Sequence, residues 1–138
     1  MKLNSIQITD SDVQRLRRML EQALQEGDVT SAEATKLRTE LDRAKIVDPH
    51  LIPAAVVTMN STIDLLDLET GEEETYTLVF PEDADPAEGK VSVLAPIGTA
   101  VLGYRVGDVF KWEVPSGTRQ LEIKSIIYQP QASGDFHL

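Results

Sequence analysis

A chain of 138 residues, 41% hydrophobic and 26% charged, is long enough to bury a core unaided and too short for a multidomain enzyme. It contains no cysteine and only two histidines, His50 and His137, which excludes disulfides, thiolate nucleophiles, thiolate metal sites and histidine-rich zinc centres. No stretch approaches the roughly 20 apolar residues of a spanning helix, and Met1-Lys2-Leu3-Asn4-Ser5 lacks the apolar core of a secretory leader, so a cytoplasmic location with no membrane partner is expected.

The net charge of −10 speaks against nucleic acid as the main partner, because phosphate binding draws on clustered Lys and Arg. Its distribution says more than its size. Residues 1–47 hold eight acids and eight bases, residues 91–138 hold four of each, and residues 61–90 hold ten acids against Lys90 alone. Two neutral blocks flank one acidic block, which reads as a solvated hairpin surface rather than an electrostatic docking patch.

In chain order, an extended start ends at Ile8, and Thr9-Asp10-Ser11-Asp12 marks a helix entrance. Thr9 caps, acids fill the first turn, and Ile8 is placed to staple onto Val13. Val13, Leu16, Leu20, Ala23 and Leu24 recur at spacings of three and four, which puts them on one stripe. Gly27 terminates that helix. Thr30 and Glu33 then form a capping box, and Ala34, Leu37, Leu41 and Ala44 make a second stripe. The short connection forces an antiparallel helical hairpin over residues 10–46, a short coiled coil with its tip at Glu26-Gly27-Asp28.

Asp48-Pro49 and Pro53 end the helical pattern, and the apolar period changes from 3.6 to 2. Val56–Met59 and Ile63–Leu68 read as strands; Glu69–Glu72 is a turn; Tyr76, Leu78 and Phe80 alternate with Thr75, Thr77 and Val79. An acidic loop over Pro81–Gly89 leads to a short strand at Val91–Leu94. Pro96–Gly103 predicts a short helix. Val109–Val114 and Leu121–Tyr128 predict two closing strands joined by Pro115–Thr118. In the last strand the apolar set slips from Leu121 and Ile123 to Ile126 and Tyr128, which predicts a bulge near Ser125. The tail beyond Gln129 contains Pro130 and Gly134 and is expected to fray. The fold class is therefore α+β, with a helical hairpin over residues 1–48 and a β module over residues 49–138.

Little catalytic chemistry survives inspection. Asp83-Ala84-Asp85 does not complete a calcium loop with Glu88 and Gly89. Ser92, Ser116 and Ser125 lack a nucleophile elbow or a neighbouring histidine motif, and no Gly-rich loop with a lysine of the nucleotide-binding kind is present. The tip carboxylates Glu26 and Asp28 suit a divalent cation held jointly with another protein, although Asp28 is also favoured there by the helix dipole. Trp112, Phe110, Phe80 and Tyr76 fall on strand faces and read as core, leaving few aromatics to line a ligand pocket. No enzymatic activity and no cofactor are expected.

The run Val91-Ser92-Val93-Leu94-Ala95-Pro96-Ile97-Gly98-Thr99-Ala100-Val101-Leu102-Gly103, with Val106-Gly107-Asp108 and the closing strand Ile123–Tyr128, resembles the C-terminal domain of the bacterial Gre family of transcript-cleavage factors. Val56-Val57-Thr58-Met59-Asn60-Ser61, Ala95-Pro96-Ile97-Gly98, Tyr128-Gln129-Pro130 and Glu40-Leu41-Asp42-Arg43-Ala44 resemble its Rnk branch, the regulators of nucleoside diphosphate kinase. This resemblance spans nearly the whole chain. It implies an FKBP-like antiparallel sheet with one short helix, docked on RNA polymerase beside the secondary channel, with the hairpin pointing into that channel.

In the Gre proteins two acids at the tip of a long coiled coil help hold a catalytic magnesium. Here each helix is about 15 residues, or about 22 Å, roughly half that reach, so Glu26 and Asp28 stop short of the polymerase active site. The resemblance thus implies a monomeric regulator that competes with Gre factors for the channel without stimulating RNA cleavage and holds no metal of its own. Its polymerase-binding positions are Leu94, Ala95 and Pro96, where the Gre pattern has an acid, a serine and a proline. Leu94 is assigned either to docking or to a covered position beneath the hairpin or tail. Two rivals stand beside this reading: a prolyl isomerase built on the FKBP-like module, and a regulator acting on nucleoside diphosphate kinase through another cytoplasmic partner.

Overall fold

The computed structural model describes residues 6–27 and 29–138. Strand β1 (Gln7–Thr9) leads directly into helix α1 (Asp10–Glu26). Thr9 is its cap, with Oγ1 accepting from the Asp12 N–H at 3.2 Å, and Ile8 and Val13, the two staple residues, are both buried. Gly27 ends the helix in the left-handed region at φ 75°, its N–H donating to the Ala23 and Leu24 carbonyls. This conformation suits glycine because it has no Cβ to clash. Helix α2 (Ser31–Arg43) starts on the expected capping box: Thr30 Oγ1 accepts from the Glu33 N–H at 3.1 Å, and Glu33 Oε1 accepts from the Thr30 N–H at 3.3 Å.

The two helices bury the stripes read from sequence, Val13, Leu16, Leu20 and Ala23 from α1 and Ala34, Leu37 and Leu41 from α2. An Arg17–Asp42 ion pair at 2.9 Å spans them on the solvent side, where such pairs contribute little. At 17 and 13 residues the helices are about 25 and 20 Å long. After α2, strand β2 (Lys45–Val47) pairs in parallel with β1, Ile8 opposite Ile46. Parallel neighbours need a crossover connection, and the hairpin itself supplies it.

The main sheet is formed by β3 (Thr62–Asp67), β4 (Glu73–Val79), β5 (Lys90–Ser92), β6 (Val109–Val114) and β7 (Gly117–Tyr128), in the order β5-β4-β3-β7-β6. It is not wholly antiparallel as expected. Strand β5 runs parallel to β4, Leu78 opposite Val91, because the loop with 3₁₀ turns at Pro81–Asp83 and Pro86–Glu88 brings the chain back beside Thr77 before β5 begins. Along β3 the register with β7 shifts twice, between Thr62 and Ile63 and between Asp64 and Leu65. Ile127 and Lys124 are thereby left unopposed on either side of Ser125, where the slip of apolar residues placed a bulge.

Two expectations fail. Val56–Met59 is no strand: Val56 makes one isolated bridge, to Arg105, and the segment is a fully buried turn-like connector held by long-range bonds. Val57 exchanges hydrogen bonds with Tyr104 and Gly103, and the Met59 N–H donates to Asp12. The tail does not fray at its start either. Gln129 and Gln131 are buried; Gln129 Nε2 donates to the Pro53 and Val56 carbonyls at 2.8 and 2.7 Å, and Thr58 Oγ1 donates to Gln131 Oε1 at 2.8 Å. Farther on, Phe136 stacks on His50 with ring centroids 4.2 Å apart. Local Pro and Gly signals cannot register two glutamines that satisfy the polar groups of a connector some 70 residues earlier.

One continuous apolar core runs from Leu16 and Leu37 of the hairpin to Met59, Ile63, Leu102 and Ile123 of the β module. Among the described residues no helix is long and apolar enough to cross a membrane. The acidic residues 61–90 lie on β3, β4 and the loop after them, most of them exposed. Asp67 is the exception, buried with Oδ2 2.9 Å from Arg119 Nη1. The Glu69 N–H, helped by that of Thr70 and by the Arg119 charge, holds its carboxyl below the usual carboxylate range.

Candidate functional site

Helix α3 (Pro96–Val101) begins with proline at its first position, as expected, and ends before Gly103. Its seat is set by Gly98. A Cβ there would lie 2.1 Å from the Ser92 carbonyl oxygen, so only glycine lets α3 lie against the end of β5. Thr99 Oγ1 donates to the Val93 carbonyl at 2.6 Å, and Ser92 Oγ accepts from the Leu94 N–H at 3.0 Å. These bonds fix the bend that carries Leu94, Ala95 and Pro96.

Leu94 and Ala95 are half-buried and Pro96 is exposed. Leu94 packs against the core and also lines a groove of about 1020 Å³ between α2, α3 and β6. Covering and docking are therefore not exclusive: one part of the side chain is packed and another faces the groove. The groove's apolar wall is completed by Ala100, Tyr104, Phe110 and Trp112, and α2 supplies Lys36, Glu40 and Arg43. Aromatic residues taken from sequence as core alone thus line a cleft as well. Phe110 is buried while Trp112 is only partly so, because β6 is the last strand of its sheet. Burial, and secondarily the Glu40 charge, pushes the Tyr104 hydroxyl above its ordinary value.

The hairpin tip is separate from this groove. Glu26 is exposed in the last turn of α1, where Gln22 Nε2 donates to its Oε1 at 3.2 Å. Asp28 lies outside the described residues. Among those described, no group of three His, Asp or Glu side chains could hold a metal ion.

Sequence reasoning missed the role of Asp12. Its position in the first turn of α1 explains an acid, yet the residue is 1% exposed and its Oδ2 accepts from the Met59 N–H at 3.2 Å. Burial raises its pKa to about 6 against the lowering effects of that bond, the Arg15 charge and the Thr9 hydroxyl. Arg15 in turn lies 4.3 Å over the Phe80 ring. The base of the hairpin is thus fastened to the β module by one buried carboxylate and one cation–π contact. A polar residue of this kind one turn into a helix is visible in sequence; its distant partner is not.

N-terminal helices followed by a curled five-stranded sheet, with a proline-led helix at the sheet's end, make a GreA/GreB-like fold. Residues 52–128 match the family profile described as the C-terminus of the transcription elongation factors GreA/GreB, and residues 4–47 match the Rnk N-terminus. The chain belongs to the family of GreA/GreB-related proteins that carry an Rnk N-terminus. It is 42% identical, over all of both chains, to the regulator of nucleoside diphosphate kinase of Escherichia coli K12. It is 36% identical over 76% of its length to elongation factor GreA of Desulfotalea psychrophila, of which the match spans 62%. Among solved structures, the elongation factor GreA/GreB from Nitrosomonas europaea superposes with a TM-score of 0.75 at 38% identity, covering 91% of this chain and 99% of that one. Gfh1 of Thermus aquaticus is similar at 26% identity and a TM-score of 0.50, over 88% and 97% of the two chains. These relatives are named as regulators and elongation factors rather than as enzymes, and the chain is a relative of transcription factors that act as regulators.

Proposed function

We propose that this protein is a cytoplasmic regulator that binds RNA polymerase at the secondary channel and competes there with Gre factors without stimulating transcript cleavage. In this reading residues 49–138 form an FKBP-like docking module and residues 1–48 a short coiled coil that enters the channel mouth. The observation that carries it is hairpin length. Helices of 17 and 13 residues reach about 25 Å at most, and the base of α1 is buried in the β module through Asp12, so part of even that length does not protrude. The tip carboxylates Glu26 and Asp28 then stop short of the active-site metal.

The polymerase contact is assigned to Leu94, Ala95 and Pro96, on the rigid bend between β5 and α3. Burying a leucine side chain in a partner contributes about 1.5 to 3 kcal/mol. The Leu94→Ala, Pro96→Ala double variant is accordingly expected to bind polymerase about tenfold or more weakly while keeping a cooperative thermal transition. Titration of labelled protein with core polymerase, in parallel with a melting curve, measures both. Unchanged affinity in a folded double variant removes this contact. Recovery of nucleoside diphosphate kinase instead of polymerase subunits in a pull-down moves the activity to another partner.

A further inference from the structure

Among the described residues, no further strand pairs with the edge of the main sheet at β6. In the register of β6 with β7, Phe110 is opposite Leu121, Lys111 opposite Gln120 and Trp112 opposite Arg119. The Ile123 N–H donates to the Asp108 carbonyl at 2.9 Å, whereas the Gln120 carbonyl is taken by Leu68 on the other side of β7. Hydrogen-bonded pairs alternate along an antiparallel ladder. Phe110, Trp112 and Val114 therefore bond to β7, and the N–H and C=O groups of Val109, Lys111 and Glu113 point away from the sheet, past its last strand. The opposite edge differs: β5 has only three residues, and its first, Lys90, already exchanges two hydrogen bonds of 3.0 Å with Asp85.

A six-residue open edge is a template for another extended chain. Here it borders the groove between α2 and α3, whose apolar wall of Leu94, Ala100 and Phe110 offers a slot for alternate side chains of an added strand. The charges beside it are not balanced. The lining carries Lys36, Arg43 and Lys111 against Glu33 and Glu40, of which Glu40 is paired with Arg43 at 3.0 Å. Lys36 and Lys111 enter no ion pair among the described residues, and Glu113 lies outside the groove's lining. We propose that the β6 edge and its groove bind an extended acidic segment of another protein, added to the sheet as a sixth strand. Hydrogen bonds to Val109, Lys111 and Glu113 would hold its backbone, the slot its apolar side chains, and Lys36 and Lys111 its carboxylates. This binding mode does not depend on polymerase being the partner.

The test uses the full chain and a capped peptide of about eight residues alternating valine and glutamate, with three controls: glutamate replaced by lysine, the same composition scrambled, and alternate backbone nitrogens methylated. The acidic peptide is expected to slow amide exchange at Val109, Lys111 and Glu113, and each control to bind about tenfold or more weakly. Lys111→Pro, which removes one outward N–H at a position an edge tolerates, is expected to lose binding. Lys36→Glu with Lys111→Glu is expected to prefer the lysine peptide. Equal binding of acidic and basic peptides, or of the methylated peptide, overturns the proposal, as does unaltered exchange with every peptide; Lys111 is then only the charge that keeps the edge unpaired. Protection of these amides that grows with protein concentration and without peptide also overturns it, assigning the edge to a second copy.

Discussion

Asp12→Asn is expected to stabilise the protein near neutral pH by up to about 3 kcal/mol and to flatten its stability between about pH 4 and about pH 6. Asp12 is almost fully buried, and burial raises its pKa from 3.8 to about 6. The folded state therefore holds this proton more tightly than the unfolded chain. Its contribution to stability grows as the pH falls through about 6 and is complete below the unfolded value of 3.8; above about 6 the buried charge counts against folding. Asparagine keeps the acceptor for the Met59 N–H, and its amide has the Thr9 hydroxyl within reach, so the charge is removed without orphaning either group. Asp12→Ala, which leaves the Met59 N–H buried and unpaired, is expected to destabilise by about 1 to 3 kcal/mol. Asp67 and Asp48, whose carboxyls are held low by backbone N–H groups, act in the opposite sense below the ordinary carboxylate range. Urea titrations of both variants across that pH span check the expectation. An Asp12→Asn variant with wild-type stability and pH dependence contradicts it.

Gly98→Ala is expected to destabilise by about 2 to 4 kcal/mol, lowering the melting temperature by roughly 10 °C. The added methyl would meet the Ser92 carbonyl oxygen at 2.1 Å, its carbon at 2.9 Å and the Val93 Cα at 3.0 Å. These are backbone atoms that no rotamer change clears, so α3 must lift from β5. Since that junction sets the bend at Leu94–Pro96, the surviving folded fraction should also bind polymerase more weakly. Gly71→Ala separates steric from conformational effects. Gly71 has φ 76° but open space around it, and the substitution there is expected to change stability by about 1 kcal/mol. Equal melting temperatures for the two variants would mean that α3 is not seated as described.

The contrast between these sites reflects what a sequence can carry. Thr9, Gly27, Thr30 and Glu33 were legible because a cap bonds within three or four residues of itself. A bulge near Ser125 in β7 was legible because the apolar residues of a half-buried strand must change phase when the backbone gains a residue; that the register shifts twice there was not. Val56–Met59 was misread because its polar groups bond to Gly103, Tyr104, Asp12 and Gln131 rather than to strand neighbours. The parallel turn of β5 was hidden for a related reason: direction depends on how far the loop before it travels. Leu94, Ala95 and Pro96 were named as the proposed docking positions from resemblance, and their setting became physical only with Gly98 in place. The groove they border was not foreseen, since periodicity marks Phe110 and Trp112 as inward-facing without saying that β6 would be the last strand.

Reach separates a regulator that only occupies the channel from one that works at its floor, and RNA cleavage in a stalled elongation complex measures reach most directly. The expected result is no stimulation of cleavage at any concentration of this protein, together with progressive inhibition of Gre-stimulated cleavage as its concentration rises. Cleavage stimulated by this protein alone, and abolished by Glu26→Gln with Asp28→Asn, would contradict the account.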